Sequence, residues 1–130
     1  MRANWIAIGA ASGALAVILG AFGAHGLKAH VSPEDLAIWK TGVLYHAVHA
    51  PALVLFGLFQ ERRRTGGGPG VCFLLGTAIF SGTLYGIVLG GPRALGMFTP
   101  FGGLLLIAGW LWFGLQATRS PGPGEPRNES

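Results

Sequence analysis

The chain predicts an all-α integral membrane protein, a four-helix bundle, and three observations carry that expectation. Four long apolar stretches, at about residues 3–24, 40–59, 71–90 and 99–117, take up most of the 130 residues. A helix rises about 1.5 Å per residue and a bilayer hydrocarbon core is about 30 Å thick, so roughly 20 apolar residues make one crossing. Apolar residues form 51% of the chain and charged residues 11%, well below the roughly 25% charged of a soluble domain. The nine Lys and Arg and the five Asp and Glu fall almost entirely between the stretches, and no stretch holds an acidic residue in its interior. One membrane domain over residues 1–118 follows, with no room for a separate soluble catalytic domain. The formal charge of +4 and the pI near 10 would suit a nucleic-acid partner, but three of the basic residues are one run, Arg62, Arg63 and Arg64. In a membrane chain that run is a topology signal, and the expected partner is the lipid bilayer rather than nucleic acid.

The first stretch is read as a span. The alternative, a cleaved signal peptide from Met1 to about Ala24, is less favoured because the apolar run is long for such a segment. In the connection that follows, Ser32, Pro33, Glu34 and Asp35 have the pattern of an N-cap, a first-turn proline and first-turn acids. A helix is therefore expected to start at Pro33, pass Trp39 at the membrane surface and run into the second span. Pro51, in the middle of that span, removes a backbone hydrogen bond and predicts a kink. The middle connection, Gln60 to Gly70, is a charge run followed by glycines and is expected to be flexible. A short link from Gly91 to Thr99 leads to the fourth span. The tail at 119–130 lacks apolar residues, is rich in Pro and Gly and is expected to be disordered.

Orientation follows from the basic residues. Arg2, Arg62, Arg63, Arg64, Arg119 and Arg127 fall on one side of the membrane, and Lys28, Lys40 and Arg93 on the other. That asymmetry favours both termini in the cytoplasm.

Small residues recur every four positions. Ser12, Ala16, Gly20 and Ala24 form one stripe, and Ala78, Gly82, Gly86 and Gly90 another. Such stripes let helix backbones approach closely in lipid. They also leave open a homo-oligomer or a larger membrane complex.

Any chemistry is expected at the histidines. His46 and His49 are three residues apart on the second helix and so lie on nearly one face. His25 ends the first helix on the outer side, and Ser81, Thr83 and Tyr85 of the third helix reach a similar depth. The polar side chains thus concentrate in the outer half of the bundle. An ionisable residue inside a membrane is a functional hypothesis by default, although a neutral histidine is readily accommodated there. One reading bonds His46 and His49 to Tyr85, Ser81 or backbone carbonyls as links between helices. The others are a bound ligand, a metal, a haem or a proton path. A metal fits poorly, because only His25 is near enough to supply a third ligand, and the single cysteine, Cys72, lies at the other face. One helix cannot present two histidines three apart to opposite faces of a haem, although His25 with His46, or a pair across a dimer, could. A quinone-like or lipid ligand needs only an apolar groove and one or two polar anchors. No catalytic triad or paired carboxylate can be assembled inside the membrane, so no enzyme is expected. The cofactor, if there is one, is not identified by these residues.

The strings Gly20-Ala21-Phe22-Gly23-Ala24-His25-Gly26, Thr41-Gly42 with Tyr45-His46 and His49, Phe80-Ser81-Gly82-Thr83-Leu84-Tyr85, and Thr99-Pro100-Phe101-Gly102-Gly103 with Gly109-Trp110 resemble the DUF423 family of small membrane proteins. The resemblance runs from about residue 4 to 117 and touches all four spans in order. It implies a four-helix protein of the bacterial inner membrane, related to transmembrane protein 256, of no established biochemical role. Its motif residues fall here at His25, Tyr45, His46, His49, Ser81, Tyr85, Thr99 and Pro100. Two positions depart from the family pattern: Pro51, where an aliphatic residue is usual, and Thr83, where Ser is usual. The family also admits Gln at the position of His46, which speaks against an obligatory metal or haem ligand there and favours His49.

Two function classes follow. In one, the protein is a non-enzymatic ligand-binding or assembly protein built around His25, Tyr45, His46, His49, Ser81 and Tyr85. In the other, it is a small transporter or proton-linked carrier in which His46 and His49 change protonation as access alternates.

Overall fold

In the computed structural model, which describes residues 2–119, four helices follow one another: α1 (Trp5–His25), α2 (Pro33–Arg63), α3 (Gly68–Val88) and α4 (Thr99–Arg119). All four are long and apolar enough to cross a membrane, and the described residues contain no strand. The expected tail beyond Arg119, and Met1, lie outside the described residues. Short 3₁₀ turns at Leu27–Ala29 and Arg93–Met97 occupy the two connections on one side of the bundle.

Local chemistry sets the helix starts. The Asn4 side chain accepts a hydrogen bond from the Ala7 N–H at 3.0 Å, which caps α1. Ser32 does the same for α2 through the Asp35 N–H at 3.1 Å, with Pro33 in the first turn and Glu34 and Asp35 beside the positive end of the helix dipole. The helix expected to start at Pro33 does so, and it runs unbroken past Pro51 to Arg63, so the missing N–H does not interrupt it. At 31 residues, α2 is about 46 Å long and overreaches the hydrocarbon core. Arg64, at φ 53°, turns the chain out of it.

The connection that follows is shorter and better anchored than its glycines suggest. Gly68 and Gly70 already belong to α3. A side chain at Gly68 would run into the ring of Trp112, and one at Gly70 would come within 2.5 Å of the ring of Trp5. Only residues 64–67 remain as a link. Gln60 donates to the Thr65 carbonyl at 3.0 Å and Gln116 to the Gly66 carbonyl at 3.1 Å. The expected flexible segment is therefore tied at its middle, through two successive carbonyls.

Neighbouring helices run antiparallel and pack in chain order. Close approach at glycine holds them together, as lipid requires. A side chain at Gly9 would meet the Ala50 carbonyl at 2.8 Å, and one at Gly102 would run into the backbone of Phe80. α2 and α3 are the more buried pair, while α1 and α4 flank them and expose most of their surface. Trp5, Leu53, Phe56, Phe73 and Leu106 form the larger core, toward the arginine-rich ends. A smaller one at the opposite end joins Leu27, Trp39 and Val88. Trp39, expected at the membrane surface, is only 1% exposed. Its ring lies on Gly23 and 4.6 Å from that of Tyr85, and its indole N–H donates to the Leu19 carbonyl at 2.9 Å.

Candidate functional site: a lateral cleft beside a buried histidine

α2 carries Tyr45, His46 and His49, and its rotation sends the two histidines to different neighbours. His46 faces α1 and α3. Its Nδ1 lies 3.0 Å from the Tyr85 hydroxyl and its Nε2 lies 3.0 Å from the Ser12 hydroxyl. In a neutral imidazole one nitrogen donates and the other accepts, and the two hydroxyls can serve either arrangement. One level nearer the start of α2, the buried Ser81 hydroxyl donates to the Gly42 carbonyl at 2.7 Å. Gly42 has no side chain because the Tyr85 ring rests on it, where a Cβ would stand 2.9 Å away. Three helices are thus joined within the bundle by Ser12, His46, Tyr85 and Ser81.

His49 faces α4. Its Nδ1 is 2.6 Å from the Tyr45 carbonyl, and the Trp110 indole N–H donates to its Nε2 at 3.0 Å. A carbonyl only accepts and an indole only donates, so the ring is neutral with its proton on Nδ1. Both nitrogens are occupied by the protein. Phe73 and Trp110 pack around the imidazole with ring centroids at 5.9 Å. Tyr45 lies over Phe80 at 4.4 Å, half exposed on the outside of the bundle.

The expected cluster of six therefore separates into three places. His46, Ser81 and Tyr85 come together, His49 and Tyr45 form a second group, and His25 joins neither. His25 ends α1, is exposed, and stands thirteen residues beyond Ser12, about 20 Å along the helix axis. The shared wall expected for His46 and His49 does not form, because a spacing of three leaves their directions about 60° apart, enough to reach different helices. Two partners were not anticipated. Ser12 stands in a stripe of small residues, which suggests helix packing or a face toward another subunit. Trp110 stood in a motif without a stated role. Thr83 and Thr99, also motif residues, bond each other at 2.6 Å and tie α3 to the start of α4. Among the described residues no three His, Cys, Asp or Glu side chains lie close enough to hold a metal ion.

Beside His46, α1 and α3 diverge and leave a cleft of about 400 Å³, open sideways, with α2 as its back wall. The two helices meet at one end, where Trp5 covers Gly70, and are separated at the other by Trp39 and Tyr85. Between those ends the cleft follows α1 from Ile8 to Leu19, about 16 Å. Ala11, Leu15, Leu74 and Ala78 form its sides. Ser12, His46, Ser81 and Tyr85 line it too, but their polar atoms are turned into the bonds just described, so the surface on offer is almost all carbon. Thr77, 7% exposed, also lines it, and its hydroxyl has no hydrogen-bond partner among the described residues.

Four helices long and apolar enough to span a membrane, with an apolar cleft open between two of them, define a small polytopic membrane protein. The chain belongs to the DUF423 family, described as "Protein of unknown function (DUF423)", whose match covers residues 19–103. It is 39% identical over 108 residues to a UPF0382 membrane protein of Staphylococcus haemolyticus, covering 82% of this chain and 88% of that one. It is 36% identical over 118 residues to UPF0382 membrane protein YwdK of Bacillus subtilis, covering 88% and 96%. A UPF0382 membrane protein of Schizosaccharomyces pombe is 36% identical over 112 residues, covering 79% and 92%. No solved structure matches the chain.

Proposed function

We propose that this is a non-enzymatic binding protein of the bacterial inner membrane, with both termini in the cytoplasm, that holds the apolar chain of a membrane amphiphile in the cleft between α1 and α3. The cleft itself carries the reading: it opens at the side between two spans, lies between their two ends and is walled almost entirely by carbon. Pockets for apolar ligands have this character. The polar network behind it keeps α1 at a fixed distance from α3 and so maintains its shape. That reverses the role expected for these residues, which becomes support for the cleft rather than anchorage of a ligand's head. The topology rests on the arginines, with Arg2, Arg62, Arg63, Arg64 and Arg119 at one end of the bundle.

A proton-linked carrier has less support. The two histidines face different helices, and a proton on Nε2 of His49 would have to displace the Trp110 N–H.

The test is photolabelling in nanodiscs with a fatty acid carrying a diazirine along its chain. Label is expected at Leu15, Leu74 and Ala78, and to fall when Ala11→Trp fills the cleft. Equal labelling of Val17 and Ile18, which are exposed on α1 and do not line the cleft, would sink the idea.

A further inference from the structure

The cleft has a second compartment. On the other side of α3, toward α4, lies an apolar groove of about 560 Å³ bounded by Leu95, Phe98 and Phe101. Ala78 and Gly82 line both the cleft and this groove. The ridge that separates them is therefore only as high as a methyl group and a hydrogen. A Cβ at Gly82 would meet no atom within 4 Å, and both residues are exposed. The small residues at 78 and 82, expected to pack a helix, instead face outward as a low saddle between two channels. Phe98 and Phe101 stand exposed at the rim of the second channel, and the Thr83 hydroxyl on that side is engaged by Thr99.

Resting on the cleft reading above, we propose that the occupant is a two-chain lipid that straddles α3, with one acyl chain in the cleft and the other in the groove against Phe98 and Phe101. Three features select this occupant. Two carbon-walled channels run beside one helix, so a ligand with two apolar limbs fills both. The saddle carries nothing larger than the Ala78 methyl group to hold the limbs apart. Both channels are walled almost entirely by carbon, and the Thr77 hydroxyl in the cleft, unpartnered among the described residues, is itself buried, so neither offers a site to pair with a head group at that depth. Burying hydrocarbon against protein instead of lipid gains little by transfer, so selectivity has to come from the fit of both limbs.

The experiment is native mass spectrometry of delipidated full-length protein in detergent, titrated with palmitoyl-oleoyl phosphatidylglycerol and, separately, with its single-chain lyso form. The two-chain lipid is expected to bind one per protein and about tenfold more tightly than the lyso form. Gly82→Leu, which raises the saddle without meeting protein atoms, should bring two-chain binding down to the lyso level and leave lyso binding unchanged. Phe98→Ala, away from the saddle, should weaken only the two-chain lipid. Equal binding of the two lipids, indifferent to Gly82→Leu, would overturn the straddling lipid while leaving the single-chain cleft intact. Failure of both lipids to bind would remove the cleft reading as well. A dimer that disappears in Gly82→Leu would place a second copy on the saddle and likewise overturn the proposal.

Discussion

His46 and His49 stand one turn apart on α2, are equally buried, and have different surroundings. His49 is enclosed: Phe73 and Trp110 pack on it, Trp110 and the Tyr45 carbonyl take both nitrogens, and its tautomer is fixed. His46 is held between two hydroxyls that can each donate or accept, at the back of an open cleft. The difference teaches that an intramembrane histidine is understood from its partners rather than from its depth. A ring whose partners permit one arrangement acts as a fixed part of the core, whereas one whose partners permit two can tolerate local change.

The contrast can be broken by mutation. His49→Ala is expected to have the largest effect. It opens a cavity among aromatic rings and strands the Trp110 N–H, at a cost of about 3 kcal/mol, seen as a lower Tm in detergent and a shifted tryptophan fluorescence. Trp110→Phe keeps a ring in place and removes only the donor, so about 1 kcal/mol should be lost. His46→Ala should cost less than His49→Ala, because the side chain borders open space and Ser12 can turn to a carbonyl of its own helix. Ser12→Ala should cost about 0.6 kcal/mol, the usual worth of a hydrogen bond between spans. A His46→Ala protein less stable than His49→Ala would reverse the comparison. The smallest effect is expected at the surface. Asp35 and Arg93 form a 2.9 Å ion pair between the start of α2 and the α3–α4 connection, and Arg93 is largely exposed. Arg93→Ala should change stability by less than about 1 kcal/mol, and less again at high salt.

How much of this was legible depended on the range of the interaction. Ser32, Pro33, Glu34 and Asp35 mark the start of α2 through contacts within one turn, and hydropathy alone marks the four spans. The start of α3 was hidden, because Gly68 and Gly70 look like a loop until the rings of Trp5 and Trp112 are seen lying on them. The stripe of small residues on α3 was plain, but its direction was not, since that depends on where α1 and α4 settle. The bond from Trp110 to His49 joins residues 61 apart, and no local pattern announces it. Resemblance to a family pointed at most of the polar residues without saying which of them meet.

The antiparallel packing also bears on how the protein is made. The Trp39 indole reaches the Leu19 carbonyl across the first hairpin, and Thr83 meets Thr99 across the second. Each hairpin holds a polar clasp near its own turn, made from residues that leave the ribosome within 20 positions of each other. The two hairpins can close as separate insertion units, and the histidine bonds to Tyr85 and Trp110 form only when the second unit arrives beside the first. Those two histidine bonds therefore mark the seam between the hairpins and are complete only in the assembled bundle.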